Sequence, residues 1–164
     1  MFRSRSRPVI AAFNVVGLPD KAVSEARERV RAALMASGLA LPARRITVNL
    51  APADLPKEGS HYDLPIALGL MAAIGAIPHD ALGGYTVLGE LGLDGSIAAV
   101  GVLPAAIGAN ARGEGLICPA ACGAEAAWAS PEMEIVAASS LIQLANHFRG
   151  TKGKRRPMAF KAYP

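Results

Sequence analysis

The sequence is poor in cysteine, in aromatic residues and in charge. Two of its 164 residues are cysteine, 5% are aromatic and 18% are charged. Cys118 and Cys122 are separated by three residues, one of them Pro119. That spacing is neither a CxxC redox pair nor half of a zinc knuckle, so both read as reduced, partly buried thiols. So few aromatics leave no interleaved aromatic and basic surface of the single-strand-binding type. Long apolar runs are missing too. The longest, residues 64–77, is about 14 residues, includes Pro65 and two glycines, and falls short of the roughly 20 a bilayer span needs. Arg3, Arg5 and Arg7 are followed by no long apolar region of the secretory kind. The expectation is a soluble, cytoplasmic protein without a membrane partner. No GxxxxGK[ST] phosphate loop occurs, because Gly150-Thr-Lys-Gly-Lys has the wrong spacing and no strand before it. No lysine lies between Lys57 and Lys152.

What is present is a globular composition. Hydrophobic residues make up 52% of a chain long enough for one domain with its own core. The net charge of +4 is unevenly spread. Nine of the 17 basic residues lie in 1–8 and 149–164, which hold no acid; residues 9–148 carry the other eight and all 13 acids, a net of −5. The expected organisation is a basic segment 1–8, a folded domain 9–148 and a basic tail or linker 149–164. Basic ends can hold nucleic acid without sequence preference.

Residues 10–16 read as a strand closed by Gly17. A helix follows from Asp20, with Ala22, Val23, Ala26, Val30, Ala33 and Leu34 in one stripe and Gly38 as its stop. Glu25 and Arg29 stand at i,i+4 spacing for an ion pair. Residues 45–50 alternate as a strand, and 51–62 form a proline-bearing loop. A helix over 63–74 takes Asp63 as its N-cap and Pro65 in its first turn. A strand over 85–93 turns at Asp94-Gly95 into a return strand over 96–100. Helices at 102–112, 121–129 and 139–148 alternate with strands at 116–118 and 133–137, the last helix capped by Ser139 or Ser140. From Arg149 onward no element is expected. Trp128 and Tyr85 read as core residues, and His79 and His147 as structural or exposed. The alternation predicts a layered α/β fold.

Several segments carry a resemblance. They are Phe-Asn-Val-Val-Gly-Leu-Pro-Asp-Lys-Ala-Val (13–23), Arg-Arg-Ile-Thr-Val-Asn-Leu-Ala-Pro-Ala-Asp-Leu-Pro-Lys-Glu-Gly (44–59) and Tyr-Asp-Leu-Pro-Ile-Ala-Leu-Gly (62–69). Gly-Glu-Leu-Gly-Leu-Asp-Gly (89–95) and Val-Leu-Pro-Ala-Ala (102–106) continue it. From about residue 11 to 149 the chain resembles the N-terminal, Lon-protease-like (ChlI-type) domain of Mg-chelatase-like AAA+ proteins, the YifB/ComM group. The resemblance implies a fold like the second domain of ribosomal protein S5, as in the Lon protease domain, with its first strands missing or replaced. It also implies an accessory domain beside an AAA+ ATPase module that supplies ATP and Mg chemistry, in cis or in trans. Proteins of the ComM type are hexameric and drive DNA branch migration during natural transformation. This chain alone is expected to be a monomer or a weak dimer, with no cofactor of its own.

The Lon likeness raises the question of catalysis, since that dyad needs a serine and a lysine within hydrogen-bond reach. By the family pattern the serine's place falls on His61, one residue after Ser60, and the lysine's place on Pro104. The expectation is therefore no enzyme. A divergent peptidase using Ser60 or His61, with Asp63 orienting the imidazole, is the catalytic alternative. Lys57 and Glu58 are candidates for contact with an ATPase ring, a neighbouring subunit or DNA. Arg27, Arg31, Arg44 and Arg45 are candidates for phosphate, against the plainer reading of ion pairs with Glu25 and Glu28 on a solvated face. Asp54 and Asp63 are too ordinary a pair to be read as Mg²⁺ ligands, and no metal site is expected.

Overall fold

A computed structural model describes residues 13–16, 20–39, 46–49, 61–150 and 159–160. The first described unit is βαβ. Strand β1 (Phe13–Val16) leads into helix α1 (Asp20–Ala36), which returns to strand β2 (Ile46–Asn49). The two strands are parallel, Phe13 opposite Ile46 and Val16 opposite Asn49. Ala26, Val30, Ala33 and Leu34 form the buried stripe of α1, as their spacing predicts. The helix ends where Gly38 takes a φ of +80°, and the Leu39 N–H donates to the Leu34 carbonyl at 2.9 Å. That is a Schellman stop, and glycine is the residue that adopts its left-handed backbone without strain.

Helix α2 (Asp63–Ala73) is apolar nearly all round. Leu64, Ile66, Ala67, Leu68, Leu70 and Met71 have no exposed surface, so α2 is a central helix rather than an amphipathic one. Its N-cap position belongs to Tyr62, without a side-chain capping bond. Asp63 is therefore the first helical residue, not the N-cap, and its carboxylate is engaged elsewhere.

The expected strand over 85–93 is two strands, β3 (Tyr85–Val87) and β4 (Glu90–Leu91). The break falls at Leu88-Gly89, where the backbone turns to bond the start of α2. Strand β4 pairs antiparallel with β5 (Ile97–Ala98), Leu91 opposite Ile97. Their connection is a turn over Gly92–Gly95, closed by the Gly95 N–H on the Gly92 carbonyl, with Asp94 accepting from both the N–H and the hydroxyl of Ser96. So Asp94-Gly95 does mark the hairpin, though not as a two-residue turn.

Helix α3 (Leu103–Ala111) carries Pro104 in its first turn. Strand β6 (Gly115–Pro119), a 3₁₀ turn over Ala120–Cys122 and helix α4 (Gly123–Ala126) follow. The helix expected over 121–129 is thus one short turn. It tightens where the N–H groups of Trp128 and Ala129 bond three residues back, to Glu125 and Ala126. Strand β7 (Ile135–Ala138) leads to helix α5 (Leu141–Gly150). The Ser140 hydroxyl caps α5 by accepting from the Gln143 N–H, while the Gln143 side chain accepts from the Ser139 N–H. Against expectation the tail contributes an element, strand β8 (Ala159–Phe160).

The main sheet has the order β3-β6-β7-β8. Strands β3, β6 and β7 run parallel, and β8 lies antiparallel on β7, Ile135 opposite Phe160. Strand alternation divides the core. Ile117, Val136 and Ala138 face the cluster built by α1, α2 and α5. Leu116, Cys118 and Ile135 face the cluster built with α3 and α4. The arrangement is an α/β fold with helices on both faces of a largely parallel sheet, which explains the near-continuous apolar run of β6. Each fully buried Leu, Ile or Met contributes about 1.5–3 kcal/mol of transfer free energy, and α2 concentrates five of them.

Candidate functional site

Two of the segments that carry the resemblance, 62–69 and 89–95, meet at the start of α2. The Gly89 N–H donates to the His61 carbonyl at 2.9 Å, and the Leu64 N–H donates to the Gly89 carbonyl at 3.0 Å. A Cβ at Gly89 would stand 3.0 Å from Leu64 Cδ2 and 3.1 Å from Ile97 Cγ2. Position 89 therefore favours glycine for close approach.

Asp63 is the polar centre of this junction. Its side chain is 1% exposed. Oδ2 accepts from Arg29 Nε at 2.7 Å and from the Leu91 N–H at 3.1 Å, and Oδ1 accepts from Arg29 Nη2 at 3.0 Å. One carboxylate thus ties α1, α2 and β4 together. Burial pushes the Asp63 carboxyl above the ordinary carboxylate range, against the pull of Arg29 and the Leu91 N–H; Glu90 adds to the rise. Arg29 is held above its ordinary value chiefly by its hydrogen bond to Asp63. The two shifts state one balance: desolvation outweighs attraction for the acid, and the cation gains from the pair.

Arg29 was not among the sequence candidates. The i,i+4 rule pairs it with Glu25, whereas its bidentate partner lies 34 residues away. The signal that could have found it is position: Arg29 stands three residues after Ala26 and four before Ala33, on the rim of the buried stripe. A buried acid at the head of an all-apolar helix needs such a cation.

The remaining candidates are scattered. His61 is half-buried, and Asp63, the residue expected to orient it, is taken by Arg29 and Leu91. Pro104 is exposed in the first turn of α3. Arg27 and Arg31 are half-buried, and Arg31 pairs with Glu28 at 3.7 Å, in line with a solvated ion-pair face. Arg44, Arg45, Asp54, Lys57, Glu58 and Ser60 lie outside the described residues. Among the described residues no three or more His, Cys, Asp and Glu side chains converge for a metal ion.

The thiols are as expected, only more deeply placed. Cys118 and Cys122 are buried and not joined, and Cys122 Sγ donates to the Val100 carbonyl at 3.3 Å. Burial pushes the Cys118 thiol up to about 12, far from nucleophilic use near neutral pH. His79 is exposed and His147 buried against Phe148. An open cleft of about 430 Å³ lies between Ala72, Ile77, Pro78, His79 and Arg149, and none of the sequence candidates lines it. Tyr85 packs edge-on against Phe148 and donates its hydroxyl to Glu134. Trp128, expected in the core, is 84% exposed.

The family model for subunit ChlI of Mg-chelatase matches residues 4–122, which include the whole Asp63 junction. The chain belongs to the ChlI family. It is 40% identical over 151 residues to YifB of Salmonella typhimurium, covering 92% of this chain and 30% of that protein. It is 52% identical over 99 residues to the competence protein ComM of Haemophilus influenzae, covering 60% of this chain and 19% of ComM. YifB of Escherichia coli is 50% identical over 91 residues, 56% of this chain and 18% of that protein. The chain therefore spans less than a third of these relatives. Within this ChlI chain the motif residues Asp63, Leu64, Gly89 and Leu91 build a structural joint.

Proposed function

We propose that this chain is the noncatalytic accessory domain of a Mg-chelatase-like AAA+ protein of the YifB/ComM group. The observation that carries the reading is the joint itself. The matched motifs spend Asp63 on Arg29 and the Leu91 N–H, and Gly89 on backbone bonds to α2 and the residues just before it. Such residues serve the fold. The chain contains no phosphate loop, and the Lon-type dyad positions fall on His61 and Pro104. Nucleotide and Mg²⁺ belong to an ATPase module that the domain assists, in cis or in trans. The two-sided sheet supports an S5 domain 2-like reading. Among the described residues no helix is long and apolar enough to cross a membrane, which fits a cytoplasmic site of action.

The process we assign to it is DNA branch migration in natural transformation, a reading that the likeness to a competence protein supports. The basic ends, with nine cations and no acid, favour a supporting contact with the DNA backbone. The test is exchange. Salmonella YifB lacking the segment matched here loses assembly and ATP turnover, and this chain in its place restores both. If deletion leaves both unchanged, the accessory reading fails.

A further inference from the structure

The cleft beside the end of α2 is separate from the Asp63 joint, which sits at the other end of the same helix. Helix α2 stops at Gly75, where φ is +80° and the Ala76 N–H donates to the Met71 carbonyl at 2.8 Å. The chain leaves the helix through Ile77 and Pro78. It then turns over His79 and Asp80, closed by the Ala81 N–H on the Pro78 carbonyl at 2.9 Å. A Cβ at Gly75 would meet nothing within 4 Å, so the space beside this exit is open. The cleft holds about 430 Å³, within the range of about 300–1,000 Å³ typical of small-molecule sites.

Its walls are of two kinds. Ala72, Ile77 and Pro78 are apolar, and Ile77 is buried. Arg149 and His79 are polar and exposed. Among the described residues no acid lines the cleft; Asp80, the acid nearest in sequence, is exposed and outside the lining.

Arg149 is held in a set place. It stands in the last turn of α5, where an arginine ordinarily meets the carbonyls of its own helix. Its Nε donates instead to the Ala76 carbonyl, 73 residues away, at 3.2 Å. That bond uses one of the five guanidinium N–H groups. Among the described residues Arg149 makes no ion pair, so its Nη donors and its charge are left for the cleft. A guanidinium fixed at Nε is pre-organised to grip a carboxylate or phosphate through two parallel bonds.

We infer that this cleft binds a small organic anion. Its carboxylate or phosphate meets Arg149, His79 donates a further hydrogen bond, and its apolar body lies over Ile77 and Pro78. One fixed cation between apolar walls suits such a molecule better than a nucleic-acid backbone, which is held by several cations along its length. The inference goes beyond the accessory reading and does not depend on it.

Two-dimensional NMR of the 164-residue chain tests it, with phenyl phosphate, benzoate and inorganic phosphate as probes. Phenyl phosphate or benzoate gives saturable shifts of the Gly75, Ile77 and His79 amides, and the tighter of the two names the head group. Inorganic phosphate binds about tenfold more weakly than phenyl phosphate, because it gains nothing from the apolar walls. Arg149→Gln weakens the organic probes about tenfold, the worth of a charge-assisted hydrogen-bonded pair. Arg149→Lys restores little of the loss, since an ammonium lacks the planar fork. Both substitutions fall on an exposed residue, and the same spectra report that the fold is kept. No saturable shift with either organic probe up to about 20 mM overturns the site. Shifts that survive Arg149→Gln, or inorganic phosphate binding as tightly as phenyl phosphate, overturn the assigned ligand class.

Discussion

The two helical layers of this domain are built on different plans. The α1/α2/α5 layer buries bulky side chains, five of them without exposed surface on α2 alone, and its α1 and α2 are joined by the Arg29–Asp63 ion pair. Its outer surface carries charges such as Glu25 and Glu28, beside the exposed Met35 of α1 and Ile142 of α5. The α3/α4 layer packs mostly alanine against the sheet and presents tryptophan and isoleucine to solvent. The difference teaches that the bulkier buried side chains are concentrated on one face of the sheet, while the helices of the other pack with small ones. The motifs around Asp63 and Gly89 lie on the first face, the motif 102–106 lies on the second, and Trp128 lies beyond the residues of the ChlI match.

Arg29→Leu breaks this contrast most severely. It leaves a buried carboxylate without its cation, a loss of about 3–5 kcal/mol near pH 7. Its pH dependence follows from the raised Asp63 carboxyl. The folded state holds that proton more tightly than the unfolded chain, so the contribution of Asp63 is fullest at low pH and is lost as pH rises through its folded value. Without Arg29 the rise is steeper. Urea unfolding therefore shows a smaller gap between variant and wild type at pH 5 than at pH 7; a gap that widens toward acid contradicts this account.

Leu68→Ala comes next, at about 2–5 kcal/mol for a cavity in α2. On the other layer Ala109→Gly costs about 1–2 kcal/mol, helix propensity plus one buried methyl. Similar midpoints for these two variants in one denaturation series would erase the proposed asymmetry. Trp128→Ala changes stability least, within about 0.5 kcal/mol, as for surface positions generally. A thermal midpoint lowered by several degrees would place the indole in the core after all.

The sequence makes α1, α2, β2 and the 89–98 hairpin legible because each depends on neighbours in the chain. Spacing exposes the α1 stripe, and Gly38 ends the helix by its own backbone freedom. The failures depend on distant partners. Asp63 looks like a cap because capping is local, while its true partners lie on α1 and β4. The strand over 85–93 breaks because Gly89 serves α2 and not the ladder. Strand β8 escapes notice because two residues among basic neighbours acquire strand geometry only beside β7. Trp128 is misplaced by a rule of composition, since an aromatic ring in the core and one on the surface look alike in sequence. Ser60, Lys57 and Arg44 fall outside the described residues, and His61 and Pro104 remain expectations about missing chemistry.

The most direct measurement is turnover by the 164-residue chain itself. ATP hydrolysis and casein cleavage are followed beside the Ser60→Ala and His61→Ala variants. The account predicts background rates in all three proteins, with no labelling of Ser60 by a serine-directed covalent probe. Turnover above background that either substitution abolishes would make this domain an enzyme and contradict the accessory role.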